Sequence, residues 1–327
     1  MKKYNMVNKN IQIIKIAGKL TKIIISIIIV FQTSCSSDDI IPIEDNEEGC
    51  HVLVIGNSLS LDALSYVPFL INEISPNTYV DLKILYESGK PLSVHWNHIS
   101  NNINDYSLIF SNSKESRWYM TSAIPASDVI SMRDWDLVIL QQGSANAYNY
   151  SDTQPYVHSI VDYIRNKGGS AKIAYMLVPS RASTITALKG KTSDEVWKMH
   201  ADVANQLLNE GEVDYVIPCG TAIQNARHTA LDALGDYGHL SYDGLHLQEG
   251  IPCLIDAYTV TQSLFKIISV DESINYSSLQ ITQQWVYDKN VLGQHGYVIS
   301  GTEDDYMLCK QCAQMAVENP YEISLKP

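Results

Sequence analysis

Five short apolar runs, each closing on a turn or loop, recur along this chain with longer amphipathic stretches between them. No other feature constrains the fold as strongly. The runs are "HVLVIG" (51–56), "VDLKILYE" (80–87), "DLVILQQ" (136–142), "KIAYMLVP" (172–179) and "VDYVIPCG" (213–220). They are rich in Val, Ile and Leu and too short for buried helices, so they read as buried strands. Between them, 61–74, 155–166 (stopped by "KGG") and 194–209 (with Ser193 placed to cap it) carry helical patterns. Strand–helix alternation repeated five times predicts an α/β chain: a mostly parallel five-stranded sheet with helices on both faces. The polar stretch 97–134 reads as an insertion between the second and third strands, near the site, and 276–327 as a C-terminal helical extension.

An open parallel sheet binds its ligands outside the C-terminal ends of its strands. The first run ends in Gly56, Asn57 and Ser58, which puts a hydroxyl at a tight strand-to-helix turn. Such a serine is either an N-cap or a nucleophile. The second run leads to Gly89, the third to Gln142 and Asn146, and the stretch after the fifth to "YDGLH" with Asp243 and His246. Three-residue spacing lets a carboxylate orient an imidazole on one turn, and an imidazole so held can take a serine proton. The oxyanion formed by attack on an acyl carbon needs donors. The Ser58 N–H at a helix start, the unobstructed Gly89 N–H and the Asn146 side-chain amide are the candidates. Asn57, His95, Trp96 and Gln142 are candidates for a substrate pocket. His239 is the rival base in the same stretch, and Asp62, on the same helix face as Ser58, reads as structural.

The beginning of the chain bears on compartment. Residues 1–34 carry Lys2, Lys3, Lys9, Lys15, Lys19 and Lys22 and no acid, and the apolar run "IIISIIIVF" (23–31) is too short to span a bilayer but suits a signal-peptide core. Thr33 and Ser34 precede Cys35, a pattern that resembles a bacterial lipoprotein signal, with Gln32 where Leu is usual. The expectation is a cleaved segment 1–34, lipidation at Cys35 and an acidic tether over 35–49 leading to a cell-envelope domain, on the outer membrane or the cell surface. The formal net charge is −13, and loss of those lysines makes the mature chain more acidic still. Such a chain repels nucleic acid and anionic surfaces, so contact with a membrane is expected only through the lipid anchor. Five cysteines follow Cys35 (Cys50, Cys219, Cys253, Cys309 and Cys312), an odd number, so at least one is not paired within the chain. Cys309 and Cys312 form C-x-x-C inside a helical pattern, where neither a redox motif nor a zinc site is expected.

The order Ser, Gly, Asn, Asp-x-x-His resembles the SGNH (GDSL-type) hydrolase superfamily. "GNSLS" stands where that family has Gly-Asp-Ser-Leu-Ser, with Asn57 replacing Asp, and Gly89 in "YESGKPL" matches the second block. "QGSANA" departs from the commonest third block and resembles the form found in sialate and acetylxylan esterases, while "DGLH" matches the last. The whole pattern is most similar to an uncharacterised lipoprotein branch. The resemblance covers residues 51 to about 270 and implies a flavodoxin-like three-layer sandwich over 50–275. It also implies catalysis by Ser58, Asp243 and His246, an oxyanion hole from Ser58, Gly89 and Asn146, and no metal or organic cofactor. A serine esterase acting on a small ester or an acetylated glycan is the expected function. A non-catalytic glycan-binding module and a lipase or thioesterase for longer acyl chains are the alternatives.

Overall fold

The computed structural model describes residues 48–115, 118–167, 169–180, 189–233, 240–270 and 301–324. The expected signal segment, Cys35, most of the expected tether and His239 lie outside the described residues. The strands are β1 (Cys50–Gly56), β2 (Val80–Tyr86), β3 (Tyr106–Asn112), β4 (Tyr119–Ile124), β5 (Leu137–Gln141), β6 (Lys172–Met176) and β7 (Tyr215–Ile217). The helices are α1 (Ser58–Leu64), α2 (Val67–Ile74), α3 (Leu92–Ser100), α4 (Ala126–Ser131), α5 (Gln154–Asn166), α6 (Ser193–Asn209), α7 (Cys219–Arg227), α8 (Ile251–Ile268) and α9 (Glu303–Glu318).

The sheet has seven strands in the order β4-β3-β2-β1-β5-β6-β7. All five strands expected from the sequence are present, and β2, β1, β5, β6 and β7 are mutually parallel. The number five needs correcting. The stretch read as an insertion contributes β3 and β4, which extend the β2 edge as an antiparallel hairpin. Within the parallel core the chain first steps from β1 to β2 on one side, then crosses to β5 on the other. This reversal places a topological switch point at the C-terminal ends of β1 and β5, the crevice where a flavodoxin-like sheet binds its ligand.

Strand side chains alternate between two cores, which explains the continuous apolar runs. Val52 and Val54 point with Leu82, Ile84, Leu137 and Ile139 into a core closed by α1, α2, α7, α8 and α9. Leu53 and Ile55 point with Leu85, Val138 and Leu140 into the opposite core, closed by α3, α4, α5 and α6. Helix α9 packs on α7 and α8, and Cys309, Cys312, Ala313 and Ala316 are buried there, so the described part of the C-terminal extension completes the first core. All five described cysteines are buried free thiols. Burial pushes the Cys312 thiol up to about 12, and these groups behave as small apolar fillers.

Two helix boundaries differ from expectation. The pattern over 61–74 is broken at Ser65 and Tyr66, where Pro68 opens the second helix because proline is tolerated only in the first turn. Helix α6 is capped by Thr192, not Ser193: its hydroxyl accepts the Glu195 N–H while the Glu195 side chain accepts the Thr192 N–H, a reciprocal capping box.

Candidate active site

Ser58 is the first residue of α1, and the cap is Asn57. The Asn57 Oδ1 accepts the Leu59 N–H at 3.1 Å. The Ser58 hydroxyl is therefore left for another partner, and it meets His246 Nε2 at 2.8 Å. His246 Nδ1 lies 2.6 Å from Asp243 Oδ2. The other carboxylate oxygen, Oδ1, accepts the backbone N–H groups of Leu245 (2.8 Å) and His246 (2.7 Å), so Asp243 both orients the ring and shapes the turn that carries it. Burial works against the charged Asp243 carboxylate. The hydrogen bonds from the His246 ring and from these two amides outweigh it and hold the carboxyl below its ordinary pKa. The Tyr242 ring stacks on His246 with centroids 5.6 Å apart and covers one face of the base.

Tight backbone packing brings these parts together. A Cβ on Gly56 would lie 2.6 Å from Gln141 Oε1 and closer still to Ser60 Oγ, so a side chain here would push aside the two groups that hold the start of α1 against the end of β5. Gln141 Oε1 accepts the Asn57 N–H (2.8 Å) and the Ser60 hydroxyl (2.9 Å). The Asn57 side-chain amide donates to the Lys90 carbonyl at 2.9 Å, which ties the Gly89 loop to the residue before Ser58. Gly89 itself is exposed and has a φ of +68°, the left-handed conformation of a tight turn. Leu59, Ala147 and Val178 form one small apolar cluster with Leu245 against it. The chain neighbours of Ser58, Asn146 and His246 therefore meet in a single place.

The pocket candidates fare differently. Asn57 is buried and its side chain is spent on the cap and on Lys90, so it is a strut and not a pocket wall. Gln142 is also fully buried. Its Oε1 accepts the Leu92 and Gly143 N–H groups at 2.8 and 2.9 Å, and its Nε2 donates to the Asp152 carbonyl and the Thr153 hydroxyl. With both ends of the amide engaged, Gln142 caps α3 and shapes the loop that carries Asn146. His95 lies in the core, its Nδ1 2.8 Å from the Tyr106 hydroxyl and its ring stacked on that tyrosine. Burial, aided by the charge of His98, drives its pKa down to about 3, so the ring is neutral. Trp96 meets Tyr163 edge-on and lines a surface groove with His158, Asp162 and Lys167, which belong to α5 or lie just beyond it. A cavity of about 580 Å³, lined by Thr78, Trp135, Asp136 and Lys172, opens at the N-terminal ends of the strands, the opposite edge of the sheet from Ser58.

A hydroxyl, an imidazole and a carboxylate stand in one hydrogen-bonded chain at the switch point of a 2-1-5-6-7 parallel arrangement, and the fold class is the flavodoxin-like α/β sandwich. Within that class the chain belongs to the DUF4886 family, described as a domain of unknown function, whose model matches residues 51–290. The structure is similar to that of a DUF4886 family protein from Bacteroides uniformis ATCC 8492, with a TM-score of 0.70 at 20% identity over 85% of this chain and 98% of that one. More distant likenesses include the acetyl xylan esterase AlAXEase (TM-score 0.41, 10% identity, 67% of this chain and 99% of that one). Another is a lipase/acylhydrolase from Enterococcus faecalis (TM-score 0.41, 14% identity, 66% of this chain and 95% of that one). No curated protein matches the chain.

Proposed function

We propose that this protein is a serine esterase that hydrolyses short acyl esters, acetyl groups on an extracellular glycan foremost, through an acyl-enzyme. The observation that carries the reading is the Ser58–His246–Asp243 chain of short hydrogen bonds, with the capping duty transferred to Asn57. Ser58 Oγ attacks the ester carbonyl carbon as His246 Nε2 takes the hydroxyl proton, and Asp243 stabilises the imidazolium. The carbonyl oxygen becomes an oxyanion held by the Ser58 N–H, the Gly89 N–H and the Asn146 side-chain amide. The Ser58 N–H belongs to the first helical turn, where amides lack intrahelical acceptors. Collapse breaks the bond to the leaving alcohol, which receives the proton from His246. Water, deprotonated by the same imidazole, then attacks the acyl-serine and restores the hydroxyl. The partly exposed His246 and Asp243 side chains, at 20% and 39%, suit an open site that a polymer can approach. The acidic body and the lipoprotein-like leader favour a neutral glycan outside the cell.

A chromogenic ester series from acetate to octanoate, run beside a panel of acetylated polysaccharides, tests the proposal. Turnover should be highest on acetate, and acetate should be released from at least one glycan. A maximum on long chains would replace this reading with a lipase, and binding of the glycans with no turnover of any ester would replace it with a binding module.

Asn146→Ala tests the oxyanion hole. A donor acting mainly in the transition state should cost roughly 10²–10³-fold in kcat with KM nearly unchanged. A change confined to KM would move Asn146 to substrate binding.

A further inference from the structure

The loop that carries His246 is shaped from within. Ser241 Oγ accepts the Gly244 N–H, Asp243 Oδ1 accepts two more amides, the Tyr242 N–H reaches the His246 carbonyl, and the Gln248 N–H reaches the Leu240 carbonyl. These bonds fix the form of the loop but not its distance from the nucleophile. Ser58 and His246 are 188 positions apart in the chain, so that distance is set by the packing of α8 on α1 and, locally, by contacts between the loop and α1. One such contact stands beside the reacting pair. Asp62, one helical turn beyond Ser58 and only 8% exposed, accepts the N–H of Leu247, the residue after His246, through Oδ2 at 3.1 Å. Among the described residues, the reacting pair itself is the other hydrogen bond that crosses from this loop to α1.

We propose that Asp62 is a positioning residue: its side-chain oxygen clasps the backbone next to His246 to the helix that bears Ser58, and so sets the Oγ–Nε2 distance. The inference rests on the esterase reading above and adds to it a part that the serine, histidine and aspartate do not supply. The clasp needs an acceptor oxygen and not a charge. Burial pushes the Asp62 carboxyl up to about 7, with the His246 charge and the Leu247 hydrogen bond opposing and the Asp243 and Glu249 charges adding to it. A neutral carbonyl oxygen at this place does the same work, so asparagine should substitute for aspartate and alanine should not.

The experiment compares wild type, Asp62→Ala and Asp62→Asn on a chromogenic acetate ester, with active sites counted by a fluorophosphonate that labels Ser58. Misplacing a catalytic group by about 1 Å costs about 10²-fold. The alanine variant should therefore lose kcat per titrated site by that order with KM unchanged, and the asparagine variant should stay near the wild-type value. A merely structural role would lower the melting temperature and the number of titratable sites but leave kcat per site intact, and that result overturns the proposal. So does an asparagine variant as slow as the alanine one. If the alanine chain does not fold, Asp62→Glu, which keeps the oxygens but lengthens the arm, should show the same loss in kcat. Wild-type kcat in the glutamate variant would then refute the clasp. Failure of the esterase reading is distinct: the wild-type protein itself would neither turn over the ester nor be labelled.

Discussion

Ser58→Ala should abolish ester turnover and leave the fold unchanged. The triad logic sets the size of the effect: removing the nucleophile from a serine–histidine–aspartate relay costs about 10⁶-fold in kcat. The structure sets the second half of the expectation. A serine that capped α1 would cost about 1 kcal/mol of stability on replacement. Here Asn57 supplies the capping oxygen, and the Ser58 hydroxyl bonds only to His246 among the described residues. The melting temperature should therefore barely move while activity disappears. Paired thermal melts and initial rates check this, and an alanine variant that keeps the wild-type rate on every active ester would remove Ser58 from the mechanism.

The base should show itself in the pH profile. An imidazolium cannot accept the serine proton, so kcat/KM should fall toward acid, and this limb should vanish in His246→Ala together with about 10⁶-fold of the rate. Asp243→Asn should be milder, about 10⁴-fold: the variant keeps an oxygen for the Leu245 and His246 amides, but the amide nitrogen in place of Oδ2 donates to His246 Nδ1 and favours the tautomer whose Nε2 is protonated and cannot accept the serine proton. The pH dependence of the turn has a definite sign. Asp243 is held below its ordinary value, so its contribution is complete above the ordinary carboxylate range and is lost as the pH falls through the lowered value. The loop and the base therefore weaken in the same direction. His239→Ala is the paired control, since loss of activity there with retention in His246→Ala would reassign the base.

The parts of the site read from the sequence share one property: their chemistry follows from residue type at a strand end. Ser58 after "HVLVIG" and Asp243 three residues before His246 needed only the strand pattern and a spacing, and the structure brings them within hydrogen-bonding distance. Three of the four pocket candidates turn out to be buried, because burial is not local. Asn57 and Gln142 are polar residues at strand ends and His95 is one in the helix after β2, and nothing in their neighbours along the chain distinguishes a wall from a strut. Gln141 went unmarked for the same reason, although two adjacent glutamines where a buried strand runs out were a usable signal. Of the two strands in the stretch read as polar, β3 buries Tyr106, Leu108 and Ile109, so its "YSLIF" was a usable signal, whereas β4 at the sheet edge buries little. Most of β4 faces solvent, so the apolar pattern that reveals a strand is missing. The cap of α6 was legible after all: Thr192 three positions before Glu195 is the reciprocal motif, one residue earlier than the serine expected to serve.

The relay spans most of the sheet's assembly. Ser58 follows the first strand in the sequence and His246 lies beyond the last, yet the pair touches only because β2, β1, β5, β6 and β7 have taken their order. Contacts of such long sequence separation close late, after the loop entropy has been met by the rest of the core. If the proposed relay is the catalyst, turnover reports on completion. A nascent or clipped chain that lacks its final third retains the nucleophile but has no base to activate it. On the esterase reading proposed above, such a chain stays inert until synthesis and folding are both finished.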